Sequence, residues 1–406
     1  MKFLKDLKSV LNLTVIVAGL GYFVDLFDIT LFGVVRVASL NSLGITDPAQ
    51  VLSSGLLIYN CQMAGMMIGG LAWGMLADKR GRLSVMFGSI LLYSLSNFAN
   101  AFVWDVSSYA FVRFMGGVGL AGELGAAVTL VAESLPKEKR GLGTTVVASL
   151  GMFGIVCAAF VGQMLPWKFA YVLGGTMGIA LLFTRFKIVE SKIFTAEHGA
   201  TRGNFFMLFK GKRFFRYLCC IVIGVPVYFT TGVLFTFAPE LTAGLGVVGT
   251  VSAGNAILYG SIGLTIGDLM SGVLSHQLKS RKKAIGLFLA TGLALVLVYT
   301  NTSGLTSSLV YLLTFLIGIT VGYWAVMVTV AAEQFGTNIR GTVATTVPNF
   351  VRGSAIIAVT GFASLKNHIP SAQAAMIVGA ICFGLALLAL TQLDETFHRD
   401  LNYSEK

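Results

Sequence analysis

The chain has 406 residues, of which 55% are hydrophobic and only 12% charged, with 48 glycines and 30 phenylalanines. A soluble domain carries about 25% charged residues, so the composition argues against a soluble enzyme and for a chain solvated by lipid. The net charge of +11 raises nucleic acid as a partner, but its distribution along the chain, given below, argues against one.

Apolar stretches recur along the chain at the length that crosses a hydrocarbon core of about 30 Å at 1.5 Å per helical residue. A β-barrel would show weakly alternating segments instead. We read twelve spans, at 12–36, 51–77, 83–104, 107–134, 141–164, 167–186, 215–238, 251–276, 284–301, 307–334, 341–364 and 372–392. The first follows lysines but is too long for a signal peptide, so it is expected to be a retained helix.

That first span holds two acids, Asp25 and Asp28, in FVDLFDITLF. They stand one turn apart on one helix face. A charge in hydrocarbon is costly, so both are expected to face protein or water. By helical rise, Asp28 lies about 8 Å below the outer surface. The second span carries Tyr59, Asn60 and Gln62 at midplane depth, and ends in GMLADKRGR, with Gly74, Asp78 and Arg82. The fourth opens near Arg113, about 9 Å below the outer surface by the same rise, and continues through the glycine-rich GLAGELGAA with Glu123. Asp28 and Arg113 thus lie at matching depth, which allows a pair between them. Arginine beside a carboxylate favours its charged form, and removing the arginine favours protonation. The pair can thus load and release a proton, or simply hold two spans together; a sodium ion on Asp25 is a third reading.

Residues 189–214 are polar and basic and separate 1–188 from 215–406, each with six spans. In the second half, Pro226 predicts a bend in the seventh span. Tyr228, Asn255, Tyr259, Tyr323 and Trp324 are candidate cavity residues, with packing as the alternative for each. Arg352 lies about 15 Å into the eleventh span, just after Pro348, which leaves a carbonyl without its helical partner. Its planar fork suits a carboxylate or phosphate; an internal partner such as Asp268 is the competing reading. Cys61, Cys157, Cys219, Cys220 and Cys382 all fall in apolar spans, without the spacing of a disulfide framework or metal site. The four histidines are scattered, and no P-loop or nucleophile triad is visible. No metal or cofactor is expected.

The halves repeat. VTLVAESLPKEKRG (128–141) aligns with VTVAAEQFGTNIRG (328–341), matching Glu133 with Glu333 and Arg140 with Arg340, and GMLADKRGR aligns more loosely with GVLSHQLKS (272–280). The second copy lacks the acid and carries His276 in its place, which predicts a weaker or pH-dependent contact there. Parallel repeats predict two bundles with substrate held between them near the midplane. Of the 29 lysines and arginines, all but Arg36, Arg113, Lys168, Arg352 and Lys366 fall in segments assigned to the cytoplasm. Both termini are therefore expected to be cytoplasmic.

GMLADKRGR resembles the loop signature of the major facilitator superfamily. RFMGGVGLAGE followed by AESLPKEKRG resembles the fourth-span region of its metabolite–proton symporters and sugar porters, and PWKFAYVLGG resembles the start of their sixth span. The resemblance implies twelve helices in two six-helix bundles. It implies a secondary transporter, not an enzyme, working as a monomer in a bacterial inner membrane on a small molecule. It places Asp28 and Arg113 at proton-coupling positions, with Asp25 and Glu123 as further candidates. It gives Gly74, Asp78, Arg82, Glu133, Arg140, Glu333 and Arg340 a cytoplasmic gate. The Gly-Pro pair usual in antiporters is absent from LGMFGIVCAAFVGQ, which favours uptake of an amino acid or organic carboxylate over export of a drug or siderophore. A non-transporting receptor or scaffold has no need of the buried charges. The coupling ion is expected to be a proton, with sodium as the alternative.

Overall fold

The computed structural model describes residues 11–80, 82–123, 131, 135, 140–185, 208 and 211–397. Among them the chain is helical, with no strand beyond an isolated Val248–Thr306 bridge. The first helix, α1 (Leu13–Ser42), starts where the Asn12 side chain accepts the Val15 N–H at 2.9 Å, an N-cap that satisfies one of the helix's orphan donors. It extends past the expected end at residue 36, and Arg36, at that expected end, is fully buried. There follow α2 (Pro48–Arg80), α3 (Arg82–Asn100), α4 (Val106–Leu120), α5 (Arg140–Met164) and α6 (Trp167–Arg185).

The seventh expected span is broken into α7 (Lys212–Val222), α8 (Val225–Phe229), a π-helical stretch (Thr230–Phe235) and α9 (Ala238–Ala243). Pro226 sits in the first turn of α8, where its missing N–H costs nothing. The bend predicted from it is present as this break. α10 (Ala253–Gln277) and α11 (Arg281–Asn301) follow. The tenth expected span is also split, into α12 (Ser307–Val321) and α13 (Trp324–Glu333), and the chain ends in α14 (Thr337–Lys366) and α15 (Ser371–Gln392).

Nine helical stretches among the described residues are long and apolar enough to cross a membrane. The described part of α4 is 15 residues long, and α3, α4 and α14 all carry buried polar residues. Ser89, Ser94, Asn97 and Asn100 of α3, Arg113 of α4, and Asn349 and Arg352 of α14 are all buried. Such residues lower the apolarity of a helix without exposing charge to lipid.

The chain groups into two units, one of Met1–Leu43 with Cys61–Gly203 and one of Gly44–Asn60 with Asn204–Lys406. The boundary inside α2 is absent from the sequence-based division at 189–214. Each unit contains a close helix pair built in the same way. In the first, a β-carbon on Gly65 of α2 would fall 2.1 Å from the Phe114 carbonyl oxygen of α4, and one on Gly69 would fall 2.4 Å from that of Val118. In the second, Gly263 and Gly267 of α10 meet the Phe315 and Ile319 carbonyls of α12 at 2.0 and 2.1 Å in the same sense. Only glycine permits backbones this close, and four-residue spacing of small residues puts them on one face.

Candidate functional site

In the first unit the polar centre is built by α1, α3, α4 and α6. Asp28 and Asn97 face each other across Gly174, where a β-carbon would lie 2.5 Å from Asp28 Oδ1 and 3.2 Å from Asn97 Nδ2. Arg113 reaches the same region from α4. Its Nη2 donates to the main-chain carbonyl of Asp28 at 3.1 Å, and its guanidinium carbon lies 5.6 Å from the Phe32 ring centre and 5.5 Å from that of Tyr171. Two aromatic faces attract the cation electrostatically. Tyr171 is fixed in turn by a 2.8 Å hydroxyl–hydroxyl hydrogen bond with Tyr109, whose hydroxyl also donates to Ser39 Oγ at 3.3 Å.

Asp28 and Arg113 are therefore brought together, but not as a carboxylate–guanidinium pair. The arginine is held by two rings and a backbone carbonyl. No hydrogen bond joins the Asp28 carboxylate to the Arg113 guanidinium; its near polar neighbour is the Asn97 amide. Asp25 is buried one turn away on α1, and Glu123 is buried just beyond the end of α4. Gln62 is fully buried where its main-chain carbonyl touches Gly117 of α4, and its amide atoms have no partner among the described residues.

The second unit gathers a different set. Arg352, fully buried in α14, donates from Nε to the Tyr228 hydroxyl at 3.1 Å. The Tyr228 ring stands edge-on to Trp324, with centres 5.8 Å apart. The Tyr59 hydroxyl packs over Gly232 in the π-helical stretch just past Tyr228, at 2.8 Å from the position of a β-carbon there. Asn60 Nδ2 donates to Thr360 Oγ1 at 3.1 Å. A guanidinium in an aromatic setting can hold an anion by two parallel hydrogen bonds while rings pack the rest of a ligand. The breaks put Tyr228 and Trp324 at the starts of half-helices, the part of a transporter where irregular backbone lines a binding region.

Other expected cavity residues are used elsewhere. The Tyr323 hydroxyl donates to the Ile223 carbonyl at 2.9 Å and so ties down the end of α7. Tyr259 is exposed and stacks on Tyr311 at 5.4 Å. Asn255 lies in the first turn of α10, its N–H on the Ser252 cap. Asp268 is not joined to Arg352; its Oδ1 accepts the Ala325 N–H at 2.9 Å.

Of the expected cytoplasmic gate, Glu133 and the side chains of Asp78, Arg82 and Arg140 lie outside the described residues. Gly74 has no atom of a described residue within 4 Å of a β-carbon position, so no close packing among the described residues demands glycine there. Glu333 pairs with Arg281 Nη2 at 2.8 Å, a partner the sequence did not suggest, whereas Arg340 donates to the Phe335 carbonyl from Nε and Nη2 at 3.3 and 3.2 Å. The end of the second loop copy, which lacks the acid, is met by Glu395, after α15. Its carboxylate accepts the Ser280 hydroxyl and the Arg281 N–H at the start of α11. Burial pushes Glu395 up, but hydrogen bonds from the Ser280 hydroxyl and from the Arg281, Phe397 and Lys282 N–H groups hold it below the usual glutamate range. His276 instead lies against Phe397, with ring centres 6.0 Å apart.

Sequence reasoning missed Asn97, Gly174, Tyr171 and Glu395. Asn97 had a signal, since Ser94, Asn97 and Asn100 recur at three-residue steps along α3 and so share a face. The rest became visible only through contacts between distant segments.

Comparison with known proteins adds relatives and a fold. The chain is 29% identical over 230 residues to a 3-(3-hydroxy-phenyl)propionate transporter of Escherichia coli, covering 55% of this chain and 56% of that one. It is 31% identical over 179 residues to a putative niacin/nicotinamide transporter of Bacillus subtilis, covering 43% and 44%. The chain thus spans about half the length of these relatives. A longer match, 24% identical over 362 residues, covers 80% of this chain and 78% of an inner membrane metabolite transport protein of Escherichia coli. The crystal structure of a D-xylose-proton symporter superposes with a TM-score of 0.70 at 17% identity, covering 95% of this chain and 98% of that chain. The Major Facilitator Superfamily model matches residues 18–360. With its buried intramembrane charges, paired glycine-packed helices and repeated halves, the chain is an integral membrane protein of the major facilitator fold and belongs to the Major Facilitator Superfamily.

Proposed function

We propose that the protein is a secondary active transporter that takes up a small organic carboxylate together with a proton, by alternating access. The observation that carries the substrate reading is the buried guanidinium of Arg352 hydrogen-bonded to Tyr228 beside Trp324. A buried guanidinium beside aromatic rings suits a carboxylate ligand, which accepts two parallel hydrogen bonds from it. The surrounding rings favour a flat, partly apolar body, so an aromatic monocarboxylate fits better than a small zwitterion. Relatives named as transporters of 3-(3-hydroxy-phenyl)propionate, of niacin and of 4-hydroxybenzoate support that choice.

Asp28 is the proton carrier in this reading. It is buried, it has Arg113 nearby, and its carboxylate oxygens are not engaged in a closed ion pair. Movement of the guanidinium between the Asp28 carbonyl and its carboxylate would favour the protonated and the charged acid in turn. The protein would act as a monomer in a bacterial plasma membrane with both termini in the cytoplasm, the arrangement that the asymmetric lysines and arginines favour.

The test is uptake in proteoliposomes under an imposed proton gradient, preceded by a thermal-shift screen of aromatic acids, amino acids, aliphatic acids and sugars. The expected result is stabilisation by aromatic monocarboxylates and accumulation that collapses with the proton gradient. Ligands found only among neutral sugars would remove the carboxylate reading. Accumulation that follows sodium and ignores protons would remove the coupling reading.

A further inference from the structure

Asp268 is a carboxylate well inside α10 that neither candidate site uses. It is half-buried, and its Oδ1 accepts the Ala325 N–H at 2.9 Å. The Trp324 N–H bonds to the same carboxylate. These two N–H groups open α13, whose N-cap residue, Tyr323, makes no side-chain capping bond of its own. A helix start inside a membrane leaves donors with no water to satisfy them. An acid at that end is favoured by the helix dipole as well as by hydrogen bonding.

The contact is possible because the two backbones nearly touch. A β-carbon on Gly322 would fall 2.5 Å from the Leu264 carbonyl oxygen and 2.6 Å from the Asp268 nitrogen. That approach brings the α12–α13 break against α10 at the turn that carries Asp268. The first residue of α13 is Trp324, the ring beside Tyr228.

We propose that Asp268 is a positioning residue: it caps α13 from a neighbouring helix and thereby fixes Trp324 against Tyr228. Its consequence for transport rests on the aromatic-carboxylate reading given above; its consequence for the Trp324 ring does not. Without the cap, the first turn of α13 loses its acceptor, and the ring at its start loses its fixed position. Asparagine keeps an oxygen acceptor of the same reach, whereas alanine removes it.

The experiment uses full-length protein labelled with 5-fluorotryptophan, in which Trp324→Phe identifies the Trp324 resonance among the four tryptophans. Asp268→Ala is expected to shift or broaden the Trp324 resonance and leave those of Trp73, Trp104 and Trp167 in place. It should also raise KM for benzoate or nicotinate about tenfold, the loss expected when a charge-assisted hydrogen bond disappears. Asp268→Asn is expected to restore the resonance and bring KM within about threefold of the parent. An unmoved Trp324 resonance in Asp268→Ala overturns the inference. If that variant does not fold, Asp268→Asn decides alone, and a resonance displaced from the parent position overturns it. A parent protein that ignores every aromatic carboxylate sinks the substrate reading while the fluorine spectrum still tests the cap.

Discussion

The α2–α4 pair of the first unit and the α10–α12 pair of the second are the same contact made twice. Gly65 and Gly69 meet the carbonyls of Phe114 and Val118 as Gly263 and Gly267 meet those of Phe315 and Ile319. Beyond this shared contact the two regions diverge. The first unit surrounds a carboxylate, Asp28, with Arg113, Asn97 and two aromatic faces. The second breaks its helices at Gly322–Tyr323 and at Ile223–Gly224 and gathers Arg352, Tyr228 and Trp324 near the breaks. A duplicated scaffold has thus kept its packing and separated its chemistry. Packing is kept because glycine is demanded wherever backbones touch. The polar residues diverge because nothing in the contact requires them to match.

The sharpest way to test this separation is to remove the charge from each unit in turn. Asp28→Asn is expected to abolish accumulation driven by a proton gradient, a loss of at least a hundredfold, while counterflow exchange remains measurable. Normal accumulation by this variant would break the division of labour. Arg352→Ala should weaken aromatic carboxylate binding about fiftyfold, the scale of a lost charge-assisted pair, and reduce exchange and accumulation together. Titration calorimetry that finds unchanged affinity would take Arg352 out of the site.

The shared contact itself can be tested by symmetry. Gly65→Val and Gly263→Val each force a side chain into a neighbouring backbone, where overpacking costs typically 1–3 kcal/mol and more when nothing can yield. Similar falls in melting temperature for the two are expected. A large fall for one alone would show that the contacts are not equivalent in energy. Gly174→Ala is smaller in scale and more specific. Its methyl would crowd Asp28 Oδ1 and Asn97, so we expect a several-fold slower proton-driven rate with little change in substrate affinity.

The smallest expected effect is at Glu395, which stands outside the spans. Its folded pKa is depressed by hydrogen bonds despite partial burial. The stability it contributes is therefore present above its unfolded pKa and lost as pH falls through the folded value. The parent should lose thermal stability on acidification below the usual glutamate range, and Glu395→Gln should show a shallower dependence. The group is largely exposed, so the difference should be a degree or two at most. Identical pH profiles for the two proteins would remove the clamp between α11 and the segment after α15.

Much of this architecture was legible in the residues. Apolar runs of membrane length, the 200-residue repeat and the loop signature each bear directly on local sequence, and they lead to the twelve-helix fold. Pro226 announced the broken seventh span because proline fits the first turn of a new helix better than the interior of an old one. The pairing of Asp28 with Arg113 was approximated by counting helical rise, which gives depth but not direction. That is why the contact to the carbonyl, and not to the carboxylate, was out of reach. The exposure of Tyr259 and the bond from Tyr323 to the Ile223 carbonyl were likewise out of reach, because their spans are apolar nearly all round and no periodicity tells an exposed ring from a buried one.

What the sequence by itself determined is the class of the molecule: lipid-solvated helices, a duplicated chain and a few intramembrane charges that must find partners. What only the tertiary structure decided is who those partners are. Glu395 reaches α11 from beyond α15, and Asp268 caps a helix it does not belong to. Hydrogen bonding within a helix follows local sequence, whereas a cap or an ion pair between helices depends on how closely two backbones approach. Those distances are set by the packing of small residues far apart in the chain.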